Sequence, residues 1–173
     1  LSIGREFYLM NAYGVAEVKG LKGLICWAVG AMLAIEAIGA FLYWLLLDDV
    51  YLACFYSVMS FCNAGFSILP SSLASFGDSP ALLFLSGGLA VLGGIGFLVI
   101  YNLCTFKLLR KNHSAGRLSL HTKVVLRVTA ILLLAAFFFF LASEWTGALK
   151  DFPFWRKLTV GFYQAVTPRT CGF

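Results

Sequence analysis

Hydrophobic residues run in long unbroken stretches along this chain, separated by short polar intervals, with little strand-like alternation. Leu24 to Leu47 is a stretch of 24 residues with one charge, Glu36. As a helix rising 1.5 Å per residue it reaches roughly 36 Å, enough to cross a bilayer core of about 30 Å. The pattern predicts a transmembrane helix that leaves the bilayer at Asp48 and Asp49. Tyr51 to Cys62 is equally apolar and aromatic, but a helix of that length reaches only roughly 18 Å and cannot span. The turn-rich segment Pro70 to Pro80 follows, and then a second apolar stretch, Ala81 to Phe106, carrying Gly87, Gly88, Gly93, Gly94 and Gly96. A polar hinge (Lys107 to Lys123) leads to a third predicted span, Val124 to Ala142. Glu144 to Arg156 returns to water, and Phe154 to Thr167 is a second short apolar helix before Pro168 to Phe173.

Two of these pieces are related. Phe55 to Phe66 reads FYSVMSFCNAGF and Phe162 to Phe173 reads FYQAVTPRTCGF, 107 positions later. Each copy opens on Phe-Tyr, closes on Gly-Phe, and follows an apolar segment long enough to span. A short helix running into a glycine-bearing strand suggests a re-entrant loop. Non-helical backbone at membrane depth is tolerated only where protein or a water-filled path surrounds it. Selectivity filters are built from such loops, their carbonyl oxygens replacing an ion's water. The expected fold is an all-α membrane protein of helix–pore loop–helix repeats, potassium-channel-like, with three transmembrane and two re-entrant pore helices. The expected division is a cytoplasmic lead-in (1–23), a complete repeat (24–106), the basic hinge (107–123), and the first helix and pore loop of a further repeat (124–173).

Composition agrees with a membrane solvent. Hydrophobic residues make up 61% and charged residues 12%, about half the charged share of a soluble domain. Mean hydropathy is +0.89. The net charge of +5 comes without basic residues interleaved with aromatic ones on a polar face, so nucleic acid is not an expected partner. Its distribution reports topology instead. Lysine and arginine number three in the lead-in, none between the first two spans, and six in the hinge counting Arg127. Positive charge stays inside, which predicts a cytoplasmic hinge and both repeated motifs on the outer side of a plasma membrane. The tail carries four more basic residues, and there chain order decides the side.

Candidate chemistry is sparse. The five cysteines, Cys26, Cys54, Cys62, Cys104 and Cys171, form no C-x-x-C pair. His113 and His121 lie in the basic hinge without a neighbouring carboxylate or nucleophile and read as solvated residues. GGLAVLGGIGF (Gly87 to Phe97) has the glycines of a phosphate loop but no surrounding strand, so close helix packing is the better reading. Glu36, central in the first span, reads as a bracing residue that bonds a neighbouring loop or helix end, since Gly39 and Ala40 on its face predict a tight contact. Asn102 has the same reading. No H-E-x-x-H, paired intramembrane acids or Ser/His arrangement points to an enzyme, and no covalently bound cofactor is expected. The alternative class is a secondary transporter of a small solute with broken helices at the midplane.

Four stretches resemble the Trk/Ktr/HKT potassium transporters, specifically TrkH- and KtrB-type pore-forming subunits. They are SFCNAGFS (60–67), GGLAVLGGIGFLV (87–99), LSLHTKVVLRVT (118–129) and FYQAVTPRTCGF (162–173). The resemblance implies four helix–pore loop–helix units around one ion path, with this chain a part of a longer protein holding the second unit and the start of the third. It implies potassium, possibly with sodium, as the transported ion. It implies filter strands at Asn63, Ala64, Gly65 and Phe66, and at Thr170, Cys171, Gly172 and Phe173, with ions met by backbone carbonyls. Phe66 and Phe173 would pack outside the filter. Arg169, beside the second strand, would face away from the pore and pair with an acid. Pro168 and Cys171 depart from the family's usual residues. A homodimer in membrane lipid and a cytoplasmic nucleotide-binding regulatory subunit of the TrkA/KtrA type are the implied partners.

Overall fold

A computed structural model describes residues 21–69, 79–111, 118–145, 147, 149–150 and 152–169. These residues form six α-helices: α1 Leu21–Leu47, α2 Val50–Phe61, α3 Pro80–Ile95, α4 Phe97–Lys111, α5 Leu120–Glu144 and α6 Phe154–Val166, the last continued by a 3-10 turn, Thr167–Arg169. No strand occurs among the described residues.

Among the described residues two helices are long and apolar enough to cross a membrane alone, α1 over Gly23–Leu47 and α5. Their side chains explain the solvent. Ile25, Leu33, Ile38, Phe41 and Leu45 of α1, and Ile131, Leu134, Phe138 and Phe139 of α5, are exposed. So much contiguous apolar surface suits lipid and neighbouring helices rather than water. The chain is an integral membrane protein.

The stretch read as a single second span is two helices. Gly96 separates α3 from α4 with φ +89, a left-handed conformation that glycine adopts cheaply. The helices also run further into the hinge than hydropathy suggested: α4 reaches Lys111 and α5 starts at Leu120, while 112–117, including His113, lie outside the described residues. The lead-in before residue 21 and most of the Pro70 to Pro80 turn also lie outside them.

Contacts divide the chain into two compact units. In the first (described parts 21–34, 95–111 and 118–128), Trp27 and Tyr101 meet edge to face at 4.8 Å. Asn102 Oδ1 accepts from the Ser119 N–H at 3.3 Å, and the Ser119 hydroxyl accepts from the Thr122 N–H at 3.2 Å. Asn102 and Ser119 thus satisfy donors that the first turn of α5 leaves unpaired. The second unit (Ile35–Gly94 and Thr129–Phe173) packs α2 against α1 and α3 around Tyr43, Ala53, Tyr56, Leu82 and Leu89.

Candidate functional site

The site is assembled around α2. Asp48, at φ +54, ends α1, and Asp49 caps α2 by accepting the Leu52 N–H at 3.0 Å. Twelve residues later α2 stops in a defined way. The Asn63 N–H bonds the Ser60 carbonyl and the Ala64 N–H bonds the Met59 carbonyl at 3.0 Å, with Asn63 left-handed at φ +54. That pair of bonds closes a Schellman cap, and asparagine is among the few residues that accept its left-handed position. Asn63 therefore owes its backbone conformation to the end of the helix. The candidate filter strand, an irregular segment rather than a β-strand, starts at Asn63 and continues through Ala64, and Gly65 then takes a second left-handed position at φ +69.

Among the described residues no group donates to the carbonyls of Asn63, Ala64, Gly65 or Phe66. The strand is held from its flanks instead. At its far end Ser67 Oγ donates to the Leu69 carbonyl at 3.2 Å, so at 2.9 Å the Tyr56 hydroxyl is the donor to Ser67. At its near end the Asn63 carboxamide, oriented so that each half meets a complementary partner, donates to the Ala90 carbonyl and accepts from the Gly94 N–H, both at 3.1 Å. Phe66 is 70% exposed in this chain.

Small residues set how closely α2 can be gripped. A Cβ on Gly93 of α3 would overlap the Phe61 carbonyl oxygen, and one on Gly39 of α1 would overlap the Ser57 hydroxyl. Gly87 is crossed by Phe162 of α6, whose ring stacks on Phe84 at 5.2 Å. The glycine-rich α3 is a packing surface for both short helices, as close-approach membrane contacts require.

Buried hydroxyls supply what sequence reading missed. Ser86 Oγ donates to the Leu82 carbonyl at 2.8 Å, which leaves its oxygen to accept from Tyr43 at 2.5 Å. Tyr43 then accepts from Ser60 at 3.0 Å. The chain of donors runs one way, Ser60 to Tyr43 to Ser86 to Leu82, and joins α2, α1 and α3. Ser57 adds a bond to the Glu36 carbonyl at 2.7 Å. Tyr43→Phe breaks two of these links and is expected to lower stability by about 1–3 kcal/mol. Thermal unfolding of the purified full-length protein checks it, and an unchanged midpoint contradicts it.

Glu36 reaches the same place. Its carboxylate oxygen lies 3.6 Å from Cys62 Sγ, at the end of α2, and Gly39 one turn on is the tight contact. Cys26, Cys54, Cys62 and Cys104 are free thiols. The second candidate strand, Thr170 to Phe173, lies outside the described residues, as does the side chain of Arg169. Its approach is described: α6 has 13 residues against the 12 of α2, and packs through Gly161 against Leu141 and Phe137 of α5.

A family profile described as "TrkH: Cation transport protein" matches residues 17–173. The chain belongs to the TrkH family of cation transport proteins. Among similar proteins, the potassium/sodium uptake protein NtpJ of Enterococcus hirae is 30% identical over 181 residues, covering 100% of this chain and 39% of its own length. The Ktr system potassium uptake protein B of Bacillus subtilis is 29% identical over 182 residues, and that of Vibrio alginolyticus 30%. This TrkH-family chain spans about two fifths of the length of these relatives. Family membership agrees with the resemblance read from the four stretches, and it is membership of a transporter family, not of an enzyme family.

Proposed function

We propose that this TrkH-family chain contributes two strands of the selectivity filter of a potassium uptake protein. Potassium is met by the backbone carbonyls of Asn63 to Phe66 and of Thr170 to Phe173. The observation that carries the reading is the run of four carbonyls, 63 to 66, that no described donor occupies, with Gly65 left-handed among them. These residues are half-buried or exposed in this chain, so their carbonyls are open to a partner, and an ion stripped of water is the partner such a row would meet at membrane depth. The helix adds to this: α2 ends at the strand, and the negative end of its dipole favours a cation there. Glu36 braces the end of α2 in this reading and does not bind the ion.

The helix–pore loop–helix arrangement, with α2 and α6 as re-entrant pore helices on the outer side and the basic hinge in the cytoplasm, belongs to the same proposal. So do a homodimer and a cytoplasmic nucleotide-binding regulatory subunit; two of the relatives are named as components of a Ktr system. Sodium is a candidate companion ion, since one relative is named for both ions. The full-length protein, expressed in a bacterium lacking its potassium uptake systems, is expected to restore growth at low external potassium and to accumulate rubidium. Failure of both, with the protein present in the membrane, overturns the assignment.

A further inference from the structure

Asn63 enters the proposed filter as one of four carbonyl ligands, yet its most specific contacts are made by its side chain. The carboxamide spans Ala90 and Gly94, a carbonyl and an N–H four residues apart on α3, with 3.1 Å to each. Those two groups are the natural partners of one turn of helix. The amide of Asn63, one donor and one acceptor side by side, matches both ends of that turn at once. The site is built to admit it. Gly93, between them, carries no Cβ where the Phe61 carbonyl lies, and Gly94 has only the Asn63 amide within 4 Å of where its own Cβ would be. Two residues beyond Gly94 the helix is interrupted at Gly96.

We propose that Asn63 is a positioning residue for ion discrimination. Its carboxamide clips the first residue of the strand to the backbone of α3, and this fixes the direction of the carbonyls that follow. The inference rests on the filter reading above. Without the clip the cap of α2 survives, because glycine satisfies a left-handed position as well as asparagine does. The strand after it is then held at its near end only by the Ala64 N–H bond of that cap, and at its far end by Tyr56 and Ser67. A strand gripped less firmly at its near end adjusts its carbonyls to a smaller ion as well as to a larger one, so the loss falls on selectivity first.

Asn63→Gly in the full-length protein separates the carboxamide from the backbone geometry. Uptake is measured for potassium and for sodium over a range of concentrations, with membrane content of the protein determined in parallel. The expected result is near wild-type membrane content and a potassium-to-sodium uptake ratio lowered about tenfold, with the ratio falling further than the potassium rate itself. An unchanged ratio overturns the proposal. If Asn63→Gly does not reach wild-type content, Asn63→Asp is read instead. It keeps the shape and tolerance of left-handed backbone, and in its ionised form, on the alkaline side, it presents no donor to the Ala90 carbonyl, where an unchanged ratio overturns the proposal equally. Gly65→Val is run beside them. If it transports like wild type, the filter reading itself has failed. If it is inactive while Asn63→Gly keeps its ratio, the filter stands and only the role of Asn63 falls.

Discussion

Replacing Gly65 by valine should reduce uptake by roughly a hundredfold. At φ +69 this residue occupies a region where a Cβ crowds the following carbonyl. An ordinary L-residue loses roughly 1–2 kcal/mol there, and a β-branched one more, so roughly 2–3 kcal/mol is set against the native strand. The strand relaxes by rotating its peptide planes, which turns carbonyls away from the ion. Because the cost is conformational, the series should be graded. Asparagine, tolerant of left-handed backbone, should retain the most uptake, alanine less and valine least. Rubidium uptake normalised to membrane content tests the order, and equal rates for asparagine and valine would rule out this cause.

The second large effect is expected at Gly93, through packing rather than torsion. A Cβ here meets the Phe61 carbonyl oxygen, and backbone cannot swing aside as a flexible side chain can. Gly93→Ala therefore has to push the end of α2 away from α3. Overpacking commonly costs about 1–3 kcal/mol, and with backbone on one side of the clash the upper end is expected. The displacement also pulls Asn63 from Ala90 and Gly94, so uptake falls together with thermal stability. Gly88, five residues earlier on α3, has nothing within 4 Å of its Cβ position. Gly88→Ala should keep stability at or slightly above wild type, since alanine is the better helix former. Similar losses for both variants would show that crowding at Phe61 is not the reason.

The membrane character of the chain was readable because the bilayer imposes one crude requirement, apolar length, and α1 and α5 meet it without help from other segments. The short helix α2 was readable to within a residue for the same reason: thirteen largely apolar residues between Asp49 and Asn63 leave little choice. What hydropathy does not report is torsion. Five glycines stand between positions 87 and 96, and nothing in their apolar setting marks Gly96 as the one that interrupts the helix while Gly87 and Gly93 stay helical as contact points. Polar pairing over distance was equally hidden. Tyr43, Ser60 and Ser86 are isolated hydroxyls in three separate apolar runs, and only folding brings them together. Asn63 was visible as part of a motif, but the motif suggested its carbonyl. The signal for its side chain was the residue type itself, since a carboxamide carries a donor and an acceptor that both need partners at membrane depth.

The hydroxyl chain from Ser60 to Leu82 also has a bearing on how the nascent protein is built into the bilayer. The polar groups of α2 find their partners on two different helices, Glu36 and Tyr43 on α1 and, through Tyr43, Ser86 on α3. Until the ribosome has delivered both, α2 is too short to be threaded across and its serine hydroxyls lack their partners. Its seat is complete only once both neighbours are in place, which ties the entry of α2 to the insertion of α3.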